Sequence, residues 1–339
     1  MMSTSINKYN PPVVMPKTAF YFLAALIYGL LLASLPNELF RDRENYVVYA
    51  SNFAIIFKQY NAITLLFNEP LFLLYNKVLS LFFSPETVPR VSVFFISFSI
   101  AYFILKNARN YLLVVLGFSL LFFVSFTFHL QLVVLRQGVA TVLLLWIVHL
   151  YWGKKPFFPL CFLLLFFHIS FAIVFFVLFY EHVLTTFIKN VKLRLLFLSL
   201  TLFALSFFML AVASSLGVRQ AGASHLVNNT NGGGGFVLFS FLLFFLYLRG
   251  LNNVCRTPYG KIGLLGVLVY LIFYFTIPIS GRLISVFLLF YYVYIVLSTN
   301  AKDYFSSFIF LLINVYLWGN AINSESLTKL GVSYFSVFL

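Results

Sequence analysis

"PFFPLCFLLLFFHISFAIVFFVLFY" occupies residues 156–180, and its reading decides how the rest of the chain is laid out. It is an apolar run interrupted once, by His168 and Ser170. A helix that crosses the hydrocarbon of a bilayer needs about 20 apolar residues. The run is long for one span and short for two. If it goes in and comes back, turning near His168, the chain emerges on the side it entered. A single straight span would instead move every later loop to the opposite side.

The rest of the sequence supplies the criterion. The chain has 339 residues, 62% of them hydrophobic and 9% charged, which is the composition of an integral membrane protein. Its apolar runs are continuous rather than alternating, so they read as helices and not as strands of a barrel. Candidate spans are 18–36, 89–106, 111–128, 131–151, 194–216, 236–249, 261–279, 282–299 and 303–320. The net charge of +14 comes from basic residues scattered between these spans. That pattern is a topology signal, and no nucleic-acid partner is expected.

Lys8 and Lys17 precede an uncleaved first span and are placed inside. Lys106/Arg109, Lys154/Lys155, Lys189/Lys192/Arg194, Arg249/Arg256/Lys261 and Lys302 can then all lie inside on two conditions. Residues 37–88 must stay wholly outside, and 156–180 must be a helix pair. The expected fold is all-α, a single polytopic membrane domain over 1–339 with about 10–11 transmembrane helices. In the outer loop 37–88, "NFAIIFKQYNAITLLF" and "EPLFLLYNKVLSLFF" form two surface helices, since Lys58 and Lys77 sit too centrally for spans. Residues 217–235, with their Asn/Gly run, read as a flexible outer loop. Cys161 and Cys255 make no disulfide or metal set, and neither a metal nor a cofactor is expected.

This topology gathers Asp42, Glu44, Glu69, Arg136, His168 and Arg282 at one face. Arg136 lies five residues into the span 131–151, beside Gln137 and the small residues Gly138 and Ala140. An arginine in lipid costs about 2.5–3.5 kcal/mol, and one held in a bundle needs an anion, either a carboxylate or a ligand phosphate. In "LFRDRENYVVYASNF" (39–53), Arg41, Asp42, Arg43 and Glu44 adjoin, and Tyr46 and Tyr49 follow one turn apart as an aromatic ledge. Carboxylates beside aromatic faces suit a sugar, while a solvated loop with local ion pairs suits the same residues. Glu69 precedes Pro70 at a helix start, compatible with a cap or with function. His168 reads as a histidine bonded within the bundle or as a functional group, and Arg282 as a snorkelling or an anion-binding side chain. Glycine-rich phosphate loops, paired-histidine zinc motifs and G-x-S-x-G are absent from the sequence.

"DRENY" with Tyr49, then "EPLF", "LRQGVA", "FHIS" and "GRL" occur in an order that resembles the EpsG family of exopolysaccharide-biosynthesis membrane proteins. That family is similar to Wzy-type O-antigen and capsule polymerases, and the resemblance runs from about residue 18 to 300. It implies a glycosyltransferase-type polymerase that joins undecaprenyl-diphosphate-linked oligosaccharide repeat units at the outer face of a bacterial inner membrane. Asp42, Glu69, Arg136 and His168 take the catalytic positions. Arg41, Arg43, Glu44, Tyr46, Tyr49, Gln137, Arg219 and Arg282 are the substrate-binding candidates. Arg43 stands where the family usually shows an aromatic. The implied partners are the lipid-linked oligosaccharide, the bilayer and a chain-length regulator protein. The long first outer loop also resembles lipid-carrier glycosyltransferases of the GT-C class. Two alternatives remain: a flippase for the same lipid-linked sugar, and a ligase or single-sugar transferase. A flippase should line a through-cavity with polar residues from both halves of the chain.

Overall fold

The computed structural model describes residues 17–59, 69–215, 234–276 and 280–322. Nearly all of the expected loop 217–235, including Arg219, lies outside the described residues.

Every regular element among the described residues is a helix, as a backbone with no water to pair with requires. The first, α1 (Lys17–Ala33), leads through a short 3-10 turn into the loop helices α2 (Arg43–Ser51), α3 (Phe53–Gln59) and α4 (Pro70–Leu79). Then come α5 (Thr87–Asn107), α6 (Tyr111–Phe123), α7 (Ser125–Leu132) and α8 (Leu135–Tyr151). The apolar run 156–180 and the residues after it form α9 (Phe157–Leu163), a 3-10 turn (Leu164–Phe166) and α10 (Phe171–Phe187). The chain continues through α11 (Val191–Ser215), α12 (Gly234–Arg249), the short α13 (Leu251–Val254) and α14 (Pro258–Phe273). It ends in α15 (Ser280–Leu297) and α16 (Ala301–Ile322).

Three helices are long and apolar enough to cross a bilayer by themselves: α5, residues 191–208 of α11, and α15. The helices α6 and α7 together make a fourth candidate, bent by 74°. Six further apolar helices are 10–17 residues long, and the sequence-based count of spans includes these shorter elements. Phe20, Leu23, Leu31, Phe203, Phe208, Phe305 and Tyr316 all face outward. Such an apolar rim is the outside of a protein solvated by lipid. Together these features make the chain an all-α polytopic membrane protein.

The helix pair is visible in its ring contacts. Phe158 of α9 meets Phe179 and His182 of α10, and Phe162 meets Phe175 one step closer to the turn. The two helices are therefore antiparallel, and the chain reverses at residues 167–170. His168 lies at one end of the bundle, and Lys154 and Lys155 at the other.

One part of the sequence reading needs correction. The expected spans 111–128 and 131–151 are divided differently, because the helix bends at Val124 and breaks again at Val133–Val134. Polar side chains make this possible by taking up the freed carbonyls. The Thr127 hydroxyl donates to Val124 O at 2.8 Å and Leu120 O at 3.2 Å. The Gln131 amide donates to Thr127 O at 3.2 Å and accepts from the Tyr28 hydroxyl at 2.9 Å. Arg136 consequently sits in the first turn of α8, not deep within a span.

At the centre lies α15, buried on all sides from Leu283 to Val296. It packs on α14 through glycines, with Gly263 facing the Tyr291 backbone and Gly266 lying directly against Phe287.

Candidate active site

The loop between α1 and α5 is clipped shut where it starts, since the Asn37 amide donates to Glu86 O at 2.7 Å. Within it, α4 lies against α2, with Phe72 edge-on to Tyr46 at 5.7 Å. Tyr75 of α4 bonds Ser92 of α5 at 3.3 Å and meets Phe167 at 6.4 Å. These contacts fix the start of α4, and with it Glu69, between the loop and the turn of the helix pair.

Glu69 has φ 58° and ψ 58°, a left-handed conformation that costs a residue with a Cβ roughly 1–2 kcal/mol. Its side chain makes no cap bond to α4, so the helix-cap reading does not describe it. Instead the carboxylate crosses to α8. Arg136 Nη1 donates to Glu69 Oε2 at 2.6 Å, and the Ile169 N–H donates to Oε1 at 3.4 Å. His168 Nε2 is 3.7 Å from the same Oε1. Three segments remote in sequence thus meet at one carboxylate. Glu69 lies in the loop, outside the spanning helices. Burial raises its carboxyl above the usual range, against the opposing pull of Arg136.

His168 is oriented by Ser170, whose N–H donates to Nδ1 at 3.3 Å and whose hydroxyl lies 2.7 Å from it. A ring nitrogen that accepts from a backbone N–H carries no proton, which assigns the proton to Nε2, on the side of Glu69. The sequence shows Ser170 only as a second polar break beside His168, and its position two residues after the histidine is the signal for this role.

Arg136 is poised differently from the buried members. Its side chain is 37% exposed against 7% for Glu69, and its Nε has no hydrogen-bond partner. Its guanidinium lies 5.9 Å from the Tyr49 ring. The unpartnered Nε is buried, so what a ligand can reach is the exposed part of the guanidinium. Arg282 is exposed at the start of α15, close enough that its charge acts on Glu69.

The other sequence candidates are placed as follows. Tyr46 is buried against Phe72, so only Tyr49 presents a ring face and the two-tyrosine ledge is reduced to one. Arg43 is fully buried, with Nε donating to Leu132 O at 2.8 Å, Nη1 to Leu35 O at 3.1 Å, and its guanidinium 4.1 Å from the Phe40 ring. It ties the loop to the end of α7, which corrects the expectation that it touches substrate. Gln137 is also turned inward, donating to Arg282 O and to the Ser285 hydroxyl at 3.2 Å. It positions the start of α15 and is not open to a ligand. Asp42 has φ 69°, is exposed, and accepts from Asn45 at 3.5 Å, outside the Glu69 cluster. Arg41 and Glu44 are exposed beside it. Among the described residues, Asp42 and Glu69 are the two non-glycine residues with positive φ.

The opposite end of the bundle holds two buried carboxylates that sequence reading passed over. Glu181 pairs with Arg194 at 3.3 Å and with Lys261. Asp303 pairs with Arg249 at 3.2 Å and accepts from Tyr294 at 3.0 Å. Both acids are satisfied by cations that, by sequence position, lie between the candidate spans or at their ends.

The sequence model of the EpsG family matches residues 18–335. No curated protein and no solved structure matches the chain.

Proposed function

The chain belongs to the EpsG family, and on that premise we propose that it is a polysaccharide polymerase using undecaprenyl-diphosphate-linked oligosaccharides at the outer face of a bacterial inner membrane. The family implies a polymerase-like role in exopolysaccharide biosynthesis. The finer reading is supported by one observation: a carboxylate, an open-handed arginine and an oriented histidine meet at one end of the bundle.

In this reading Arg136 and Arg282 hold the lipid diphosphate of the growing chain. The diphosphate competes with Glu69 for the Arg136 fork, and the displaced carboxylate faces the incoming acceptor. A hydroxyl of the new repeat unit attacks the anomeric carbon as the glycosyl–phosphate bond breaks. Its proton passes to Glu69, and the negative charge leaves on the lipid diphosphate. Preorganised cations at the leaving oxygens lower that barrier, and a positioned base contributes about 10²–10⁴-fold. His168 Nε2–H faces Glu69 and stabilises its charged form as the arginine is drawn away. Tyr49 offers a ring face to a sugar, and Asp42, Glu44 and Arg41 line the approach.

Glu69→Gln tests the reading in the native host, since it keeps size and removes charge. Normal protein in the membrane with surface glycan cut to one repeat unit is the expected result. Long glycan from this variant would remove Glu69 from the reaction. Loss of all glycan, one-repeat material included, would favour a flippase.

A further inference from the structure

The end of the bundle opposite Glu69 carries a second feature, independent of the polymerase reading. A cavity of about 780 Å³ lies there, lined by Lys189, Lys192, Asn252, Asn253 and Arg256. No acidic residue lines it. The nearby carboxylates are spent elsewhere, Glu181 on Arg194 and Lys261, and Asp303 on Arg249. Lys189, Lys192 and Arg256 make no ion pair among the described residues, so their charge is left for something outside the fold.

Directly beside it is an apolar groove. The helices α11 and α12 each pack on α14. Between them opens a space of about 440 Å³, lined by Leu195, Leu196, Leu243, Phe244 and Leu268. The two spaces share Leu251. Lys192 stands at the junction, its Nζ 3.4 Å from the Tyr247 hydroxyl and 5.2 Å from that ring, while Tyr247 itself lines the groove.

The chemistry of the occupant follows from this continuity. A free phosphate would use the cationic cavity and leave the groove empty. A zwitterionic lipid would use the groove and leave three cations uncompensated. An anionic lipid uses both, with its phosphate among Lys189, Lys192 and Arg256 and an acyl chain along α11 and α12. We propose that this end of the protein binds an anionic phospholipid of the leaflet opposite the candidate active site.

The test uses the full-length chain, purified and delipidated in a neutral detergent, with lipid binding followed by native mass spectrometry. Phosphatidylglycerol should bind at least tenfold more tightly than phosphatidylcholine carrying the same acyl chains. Replacing Lys189, Lys192 and Arg256 together by Ala should weaken phosphatidylglycerol binding on the order of 30–100-fold and leave phosphatidylcholine unchanged. Unchanged phosphatidylcholine binding also reports that the groove remains folded. A charge-conserving pair, Lys192→Arg with Arg256→Lys, should retain binding. Ser240→Trp, which fills the groove, should weaken phosphatidylglycerol as well. Equal affinity for the two lipids would overturn the proposal. So would displacement of phosphatidylglycerol by equimolar inorganic phosphate together with no effect of Ser240→Trp, which would mark a soluble-anion site.

Discussion

Arg136 carries a fixed charge and a planar fork, and substitution separates the two. Lysine keeps the charge but cannot grip two phosphate oxygens, whereas a side chain that merely reached for water would be served equally by either. Arg136→Lys should therefore leave one-repeat glycan almost as Arg136→Ala does, with both proteins at normal abundance. Full-length glycan from the lysine variant would sink the clamp. Glu69 adds a pH signature. Its carboxyl is raised by burial, and the base must be deprotonated to accept a proton. Polymerisation by the purified protein should then fall as pH drops through a value above the ordinary glutamate pKa of about 4.3. A rate that stays flat down to that pH would exclude Glu69 as the base. At this scale the sequence was informative about which residues matter and poor on how they are used. Arg136, Glu69 and His168 stood out because charge in an apolar chain is costly wherever it falls. Arg43 and Gln137 stood out for the same reason, yet they are spent on Leu132, Leu35, Arg282 and Ser285.

The α14–α15 contact carries the centre of the bundle. Gly266 lies so close to Phe287 that any side chain must push the helices apart, and Gly263 would place a Cβ 3.0 Å from Tyr291 Cα. Overpacking of this kind costs typically 1–3 kcal/mol or more. Gly266→Leu should reduce folded protein in the membrane and lower the thermal midpoint in detergent; an unchanged midpoint would mean that the helices are not locked here. Glycine spacing of this sort is readable in a sequence, but its partner helix is not. The break at Val133–Val134 is equally hidden, since it falls inside the unbroken apolar run of residues 132–135. What holds the helix end there are hydrogen bonds from remote residues, Arg43 to Leu132 O and Tyr28 to the Gln131 side chain.

For the whole molecule the test is sidedness. With Cys161 and Cys255 replaced by Ser, a cysteine at exposed Ser51 should react with a membrane-impermeant thiol reagent in cells with a permeabilised outer envelope. Cysteines at Lys155 and Lys302 should not react. Labelling at Lys155 with none at Ser51 would invert the protein in the membrane. Labelling at Lys302 without labelling at Lys155 would make residues 156–180 a single crossing and contradict the antiparallel contacts of Phe158 and Phe162.

The sequence by itself determined that the chain is helical and membrane-embedded, and it offered 156–180 as a helix pair or a single span, between which the ring contacts of Phe158 and Phe162 decide. Hydropathy and loop charge are properties of each segment alone, so they survive in the one-dimensional record. Only the tertiary structure decided that Glu69 meets an arginine 67 residues away and a turn 100 residues away. It alone decided that Arg43, Tyr46 and Gln137 face inward, and that Glu181 and Asp303 neutralise cations at the far end. The reason is physical. A buried charge must find a partner wherever packing delivers one, and that delivery is set by how helices stack rather than by residues adjacent in the chain.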